Sequence, residues 1–183
     1  MKPHSPVRLV QQSGKRSIIQ KQKEYSVLPC TLEHIKHIAD NIRQEDKDEL
    51  YAASGKFPLH ALLHGYTHSD YLKVGCVNDT PVCVFGTVPV LEIPNTALAW
   101  MVATDELLDV SFKFARESQK YADEMQHDYK LLYNFVDARN TVHHRWLRWL
   151  GFTIIRKIKH GVLDKDFYEF ARVNNYVLSL IHI

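Results

Sequence analysis

Cysteine is scarce in this chain of 183 residues, and its three cysteines predict no disulfide framework. Cys30, Cys76 and Cys83 leave an odd count, and no two of them form a CxxC pair. Each lies in an apolar, strand-like stretch, so we expect buried, reduced thiols rather than disulfides or a metal site. Reduced thiols are typical of proteins in the cytoplasm.

Long apolar runs and a strong charge imbalance are absent as well. No stretch approaches the roughly 18 apolar residues of a membrane-spanning helix, and no signal-peptide pattern opens the chain. A net charge of +2 is too small to predict nucleic-acid binding by the body of the protein. The composition, 45% apolar and 24% charged, is typical of one globular domain.

Glycine is missing from a long central stretch, because none occurs between Gly86 and Gly151. Glycine-rich turns that precede a helix bind phosphates: their free amides and the helix dipole attract anions, and the missing side chain allows close approach. The central part of the chain therefore lacks a turn of this kind.

The two ends differ in composition from the middle. Residues 1–23 contain six Lys or Arg and no acid, so we expect a disordered basic tail, with nucleic-acid contact through it as a further hypothesis. Residues 24–173 are expected to form the folded domain and residues 174–183 a second tail. Residues 178–183, LSLIHI, look like the translation of a sequencing adapter, and we expect them to be an artefact.

Apolar periodicity between the tails predicts alternating strands and helices. The predicted strands are residues 25–29, 71–77, 81–90, 97–103, 131–136, 152–158 and 167–173. A first helix is predicted from the N-cap Thr31 through the acidic run to a stop at Gly55, and a second, short helix starts at Pro58. Further helices are predicted over residues 105–129 and 140–150. This order favours a mixed α/β fold with a central mixed sheet and helices on both faces.

Residues 131–152, LLYNFVDARNTVHHRWLRWLGF, carry a resemblance to a known fold. Asn140 stands eleven residues before Gly151, and Phe152 follows directly. This arrangement resembles the last strand–helix–strand unit of the GNAT acyltransferase fold, and the resemblance implies a GNAT-like domain. It also implies that Asn140 would contact acetyl-CoA if the protein were an enzyme, although an N-cap role for Asn140 is sufficient to explain the residue.

Two features of GNAT enzymes have no counterpart in this sequence. The resemblance implies a Gly-rich turn after the fourth strand that holds the pyrophosphate of acetyl-CoA, but residues 102–114 contain no Gly. Asp105, Glu106 and Asp109 are predicted to crowd the start of the next helix, where they would repel a phosphate. The resemblance also implies a Tyr seven residues after Asn140 as general acid, and Leu147 cannot donate a proton. We therefore expect no catalytic residue and no cofactor.

Histidine and tryptophan provide the other candidate sites. His143 and His144 are adjacent, so they cannot bind one ion from the same helix face. His60 and His64 stand at i, i+4, a spacing that zinc ligands on a helix can have. We expect surface histidines and not a metal site. Exposed aromatic and basic side chains on the helix after Asn140 predict a possible interaction surface. Its residues are Arg145, Trp146, Arg148 and Trp149.

Three blocks, residues 99–107, 131–140 and 143–152, together resemble the internal virion protein A family of podophages. That resemblance implies a bacteriophage protein with a degenerate GNAT-like fold, which acts in virion assembly and DNA ejection through contacts with other virion proteins. It would be synthesised in the host cytoplasm and located in the virion. The alternative is a divergent GNAT N-acyltransferase that uses acetyl-CoA, with Glu92 or Asp137 as possible bases.

Overall fold

The computed structural model describes residues 23–109 and 112–174, so most of both expected tails lies outside the described residues. Seven strands form one sheet in the order β1-β2-β3-β4-β5-β7-β6. The strands are β1 Tyr25–Pro29, β2 Tyr71–Val77, β3 Thr80–Pro89, β4 Thr96–Ala103, β5 Leu131–Asp137, β6 Thr153–His160 and β7 Lys165–Val173. Strands β4 and β5 run parallel and the other neighbours antiparallel, which confirms the predicted mixed sheet.

Helices cover both faces of the sheet, as predicted. They are α1 Leu32–Asn41, α2 Gln44–Ser54, α3 Pro58–His68, α4 Phe112–Gln126 and α5 Thr141–Trp149. On one face, Ile38 of α1 and Leu62 of α3 pack against Val102 of β4. On the other, Met125 of α4 and Leu147 of α5 pack in the same cluster as Ala97 and Ala99 of β4. Among the described helices, none is both long and apolar enough to cross a bilayer.

The first predicted helix is two helices, and the prediction of one was wrong. The chain becomes extended at Ile42, which forms an antiparallel bridge with Thr104, and the amide of Arg43 donates to the carbonyl of Ala103 at 3.0 Å. Ile42 is 3% exposed. Burial of this side chain and the two strand-like contacts favour a break over the helix that local periodicity predicts.

The predicted helix over residues 105–129 is also divided. A 3₁₀ helix occupies Asp105–Asp109, and the described part of α4 is Phe112–Gln126. The amide of Leu107 bonds to the carbonyl of Thr104, and its side chain packs with Val82 and Ala103. Tertiary packing of Leu107 thus tightens this turn, and the acidic residues Asp105 and Glu106 do not stand on the first turn of α4.

Strands β2 and β3 form a hairpin, and its turn is shorter than the predicted strand bounds, residues 71–77 and 81–90, imply. Val77 pairs with Thr80, so the loop is the two residues Asn78 and Asp79. Both have positive φ angles, 47° and 65°, as a type I′ turn requires. Asn and Asp tolerate this conformation better than most residues, which explains why this turn needs no glycine.

Candidate active site between β4 and β5

The gap between the two parallel strands is the feature that organises the site. Their pairing covers Thr96–Leu98 of β4 and Leu131–Tyr133 of β5, although both strands continue further. Where the pairing ends, the side-chain amide of Asn134 donates to the carbonyl of Ala99 at 3.0 Å. A side-chain hydrogen bond here takes the place of backbone pairing, and the backbone pairing of the two strands does not continue beyond Leu98 and Tyr133.

A cavity of about 320 Å³ lies in this gap. Residues 99–102 of β4 and 134–136 of β5 line it, together with Tyr121 and Met125 of α4 and Leu147 of α5. Its volume falls within the range of small-molecule sites, roughly 300–1,000 Å³, and its mostly apolar wall with a few polar groups is typical of such sites. The polar groups Asp46, Glu49 and His143 reach the wall from α2 and α5.

A buried ion pair fixes α2 against the end of β4. Arg43 and Asp46, 1% and 2% exposed, form a salt bridge with 2.5 Å between Nη2 and Oδ1. The other oxygen of Asp46 accepts from the amide of Ala103 at 2.9 Å. A buried charge pair is retained at little cost when further hydrogen bonds satisfy it, as the Ala103 amide does here.

Asn140 joins α2 to α5. As predicted, it is the N-cap of α5, and its side-chain oxygen accepts from the amide of His143 at 3.4 Å. Its side-chain nitrogen lies 2.9 Å from Glu49 Oε2, 3.1 Å from Asp46 Oδ1 and 3.1 Å from His143 Nδ1. Asn140 is 2% exposed, so these protein groups occupy the amide that the acyltransferase alternative assigned to acetyl-CoA.

Glu49 is the side chain with the properties of a general base. Burial raises the pKa of its carboxyl to about 8, the Asn140 hydrogen bond opposes the rise, and the charge of Asp46 adds to it. Its oxygen also accepts from the amide of Asp137 at 3.2 Å. A carboxyl that titrates near neutral pH beside a cavity can both accept and return a proton.

His143 lies beside this carboxyl and is buried, so the expectation of a surface histidine was wrong. Burial lowers the pKa of its imidazole to about 4; nearby Asp46 opposes this shift and Arg43 adds to it. His143 is therefore neutral near pH 7. His144, by contrast, is partly exposed and contacts the carbonyl of Asp137 through Nε2 at 2.9 Å.

The two bases named for the acyltransferase alternative do not lie in the site. Glu92 is exposed in the loop between β3 and β4. Burial raises the pKa of Asp137, but hydrogen bonds from Arg139 more than offset this, and the pKa lies below its usual value. Asp137 forms a salt bridge of 2.6 Å with Arg139, which makes it a poor proton acceptor.

The fold separates the four residues of the predicted interaction surface on α5. Trp146 lines the cavity, as do Leu147 and Leu150, and it packs near Met101. Trp149 is 39% exposed, and Arg145 and Arg148 are also exposed. The outer face of α5 therefore presents three of the four residues, and a binding role for them stays a prediction.

The other predicted side chains lie elsewhere. Cys76 and Cys83 are buried and reduced, as expected, whereas Cys30 is only partly buried; burial raises the pKa of Cys30 to about 11. His60 is exposed, and His64 stacks on His68 with 4.1 Å between ring centroids. Across the described residues, no group of three or more His, Cys, Asp or Glu is arranged to hold a metal ion.

Sequence reasoning assigned no role to Arg43, Asp46 or Glu49, and it placed Asp46 and Glu49 in the acidic run of the first predicted helix. A signal was present: residues 43, 46, 50 and 53 follow helical spacing, and this face continues into apolar Leu50 and Ala53. Charged residues at positions that share a face with apolar ones are candidates for a buried network.

Comparison with known structures defines the class of fold. Spermidine N-acetyltransferase of Vibrio cholerae, solved with CoA and spermine, superposes with a TM-score of 0.57 at 12% identity over 84% of this chain and 98% of its own. Ribosomal-protein-S5-alanine acetyltransferase of Vibrio fischeri superposes with a TM-score of 0.58 at 15% identity over 82% of this chain and 93% of its own. A GNAT-family acetyltransferase of Streptococcus pneumoniae superposes with a TM-score of 0.55 at 10% identity over 82% of this chain and 99% of its own.

The chain thus has the GNAT acetyltransferase-like fold, as the resemblance of residues 131–152 implied. No family model matches the sequence, and no curated protein matches it. The comparisons therefore give no support to the resemblance to the podophage virion protein family. At these levels of identity, the structural likeness establishes the fold alone.

Proposed function

We propose that this protein is an acyl-CoA-dependent N-acyltransferase in which Glu49 moves the protons. The observation that supports this most is the placement of Glu49: a carboxyl with a pKa raised to about 8 on the wall of a cavity between two diverging parallel strands. Among the structural neighbours, one was solved in complex with CoA and spermine, and several are acetyltransferases. The proposal therefore adopts the divergent N-acyltransferase, the alternative in the sequence analysis, in place of the virion protein.

The main sequence argument against acyl-CoA is weaker in the structure. Asp105 and Glu106 belong to the 3₁₀ helix, and the first turn of α4, from Phe112 onward, contains no acidic residue. The carboxylates of Asp105 and Glu106 therefore do not stand on the described first turn of α4, where the sequence predicted that they would repel a phosphate.

The cavity also fits the thioester end of such a substrate. Its apolar walls suit the arm and acyl group of a thioester, and Asp46, Glu49 and His143 provide polar groups on the same wall for a reacting amine. In this role Glu49 accepts a proton from the attacking amine. When the C–S bond breaks, Glu49 returns that proton to the departing thiolate, and the carboxylate is restored.

One carboxyl can perform both transfers because its pKa lies close to that of a thiol, about 8.5 in model compounds. The missing general acid at Leu147, which lines the cavity, is then compensated by a residue of α2. The neighbours include a spermidine N-acetyltransferase and a ribosomal-protein-S5-alanine acetyltransferase, so polyamines and alanine peptides are the first acceptors to test.

Thermal unfolding of the full chain with acetyl-CoA tests the proposal. A ligand at one hundred times its dissociation constant adds about 2.7 kcal/mol, which corresponds to roughly 5–10 °C for a domain of this size. We expect a rise of that order with acetyl-CoA and none with adenosine at equal concentration. An unchanged midpoint at millimolar acetyl-CoA contradicts the enzyme, and co-purification with phage particles then becomes the test of the virion hypothesis.

A further inference from the structure

One polar atom on the cavity wall has no role in the network described above. Among the buried polar side-chain atoms of the described residues, His143 Nε2 lacks a hydrogen-bond partner, although the residue is 7% exposed and lines the cavity. A buried donor without a partner costs roughly 1–3 kcal/mol, so such atoms are rare and call for an explanation.

The contact with Asn140 indicates which nitrogen of the ring carries the proton. The side-chain nitrogen of Asn140 can only donate, and it lies 3.1 Å from His143 Nδ1, in addition to its contacts with Glu49 and Asp46. A donor at this distance disfavours a proton on Nδ1, so a neutral imidazole favours the tautomer with its single proton on Nε2. Nε2 is then a buried N–H donor in a side chain that lines the cavity.

Asp46 does not account for this donor. Its Oδ1 is 3.7 Å from His143 Nε2, beyond hydrogen-bond distance. That oxygen already accepts from Arg43 at 2.5 Å and from Asn140 at 3.1 Å, and Oδ2 accepts from the amide of Ala103. The carboxylate is engaged by these groups, and it holds the imidazole in place without receiving its proton.

Glu49 and His143 thus offer a proton acceptor and a hydrogen-bond donor beside one another. Both contact the same nitrogen of Asn140, at 2.9 Å and 3.1 Å. A substrate that presents an amine N–H to Glu49 and a neighbouring oxygen to Nε2 of His143 would engage both groups. An amine attacking a carbonyl has this arrangement, because the nitrogen and the carbonyl oxygen become bonded to one carbon.

We infer that His143 is a catalytic hydrogen-bond donor whose Nε2–H binds the carbonyl oxygen of the acyl thioester, an inference that rests on the proposed acyl transfer. The amine nitrogen forms a bond to the carbonyl carbon, and the π electrons of the carbonyl move to the oxygen that His143 binds. The nitrogen loses its proton to Glu49. The electron pair then returns, the C–S bond breaks, and the thiolate leaves with the bonding electrons and takes the proton from Glu49.

A neutral imidazole suits this role because its Nε2 proton is shared and not released. Loss of that proton would create an imidazolate, which is far less stable than the oxyanion that it would neutralise. His143 therefore stabilises developing charge, and Glu49 carries the proton transfer. Removal of a donor of this kind lowers kcat about 10²- to 10³-fold in other acyl-transfer enzymes.

Two substitutions of His143 separate this role from a structural one. We expect His143→Leu to lower kcat about 10²-fold or more with KM changed by less than about threefold. His143→Gln, which retains an amide N–H donor, should recover at least about tenfold of that loss. His144→Leu on the same helix is the matched control and should leave kcat within about twofold. Equal losses for the Leu and Gln variants, or a loss confined to KM, would overturn the inference.

A measurement on the unsubstituted protein tests the inference even where a His143 variant fails to fold. Imidazole nitrogen NMR of the full chain should show His143 as the Nε2–H tautomer, with its proton signal moved downfield by acetyl-CoA and unmoved by CoA. Binding of acetyl-CoA without that change excludes the role of His143 and leaves the proposed function intact. Absence of acetyl-CoA binding excludes both.

Discussion

At the scale of single residues, the account depends on one carboxyl in an unusual environment. Glu49 has Asp46 as a close neighbour and Asn140 as a donor, and burial dominates the shift of its pKa to about 8. A protonated carboxyl relieves repulsion between the two acids. The same arrangement provides a proton acceptor once the pH exceeds this value.

Substitution of Glu49 by Gln should change the pH dependence of stability. The pKa of Glu49 is raised above the ordinary value of 4.5, so the folded state holds this proton more tightly and stability falls as pH rises from about 4.5 to 8. Glu49→Gln mimics the protonated form. We expect the variant to gain stability over the parent with rising pH, by more than about 1 kcal/mol at pH 8.5.

Urea unfolding of both proteins at pH 5 and pH 8.5 measures this difference. The lowered pKa of His143 destabilises the fold as pH falls from about 6.5 toward 4, but this contribution is shared by parent and variant. Glu45→Gln, exposed on the same helix, is the control and should show no such trend. A constant difference at the two pH values contradicts the assigned titration.

The N-cap role of Asn140 and the lack of a general acid at Leu147 could be predicted from the sequence, but the residues around them could not. Asn140 was recognisable because its spacing to Gly151 and Phe152 is local. Glu49 contacts Asn140 across 91 positions of sequence, and no local pattern reports such a contact. Acidic residues on helices are mostly solvent-exposed, so an acidic run does not by itself indicate a buried network.

At the scale of elements, α5 provides the cavity with an apolar wall where a proton donor is expected. Leu147 lines the cavity from this helix. We expect Leu147→Tyr to raise kcat about tenfold below pH 8, because a phenol would protonate the thiolate alongside Glu49. Steady-state kinetics at pH 7 measure the change. Leu147→Phe has the same ring without the hydroxyl, and an equal gain for Phe would contradict the explanation.

Helix α3 packs on the sheet through a glycine. A side chain at Gly65 would stand 2.6 Å from Cζ2 of Trp100, whose indole nitrogen donates to Ser69 at 3.0 Å. Gly→Ala in a helix ordinarily stabilises by about 1 kcal/mol. Here we expect Gly65→Ala to destabilise by about 1–3 kcal/mol, because Trp100 must move.

Thermal denaturation measures the sign of this effect. His60→Ala, exposed on the same helix, is the control and should stay within about 0.5 kcal/mol of the parent. A more stable Gly65→Ala protein would show that Trp100 moves away at no cost.

Most element types were predictable, whereas two helix boundaries were not. The strands were recognisable from continuous apolar runs, and α2 ends at Gly55 as predicted, in the left-handed conformation that glycine favours. The break at Ile42 and the 3₁₀ conformation of Asp105–Asp109 depend on tertiary contacts of Ile42 and Leu107. Helical periodicity continues through both places, so neither departure from a regular α-helix could be predicted from the sequence.

At the scale of the whole molecule, fold and chemistry are separate questions. The GNAT-like sheet and its gap between β4 and β5 are present, although the glycine-rich turn implied by the resemblance is missing. A chain with this fold could act through its exposed outer surface on α5 or through its cavity. The raised pKa of Glu49 and the orientation of His143 favour the cavity.

The measurement that tests this most directly is acyl transfer from acetyl-CoA to a panel of polyamines and alanine peptides, followed by thiol release and by the mass of the product. The account predicts kcat/KM that rises with pH to a plateau above about 8, and a loss of 10²-fold or more in Glu49→Gln with Glu45→Gln unaffected. Transfer that is equally fast in Glu49→Gln, or no transfer to any amine by protein that binds acetyl-CoA, would contradict it.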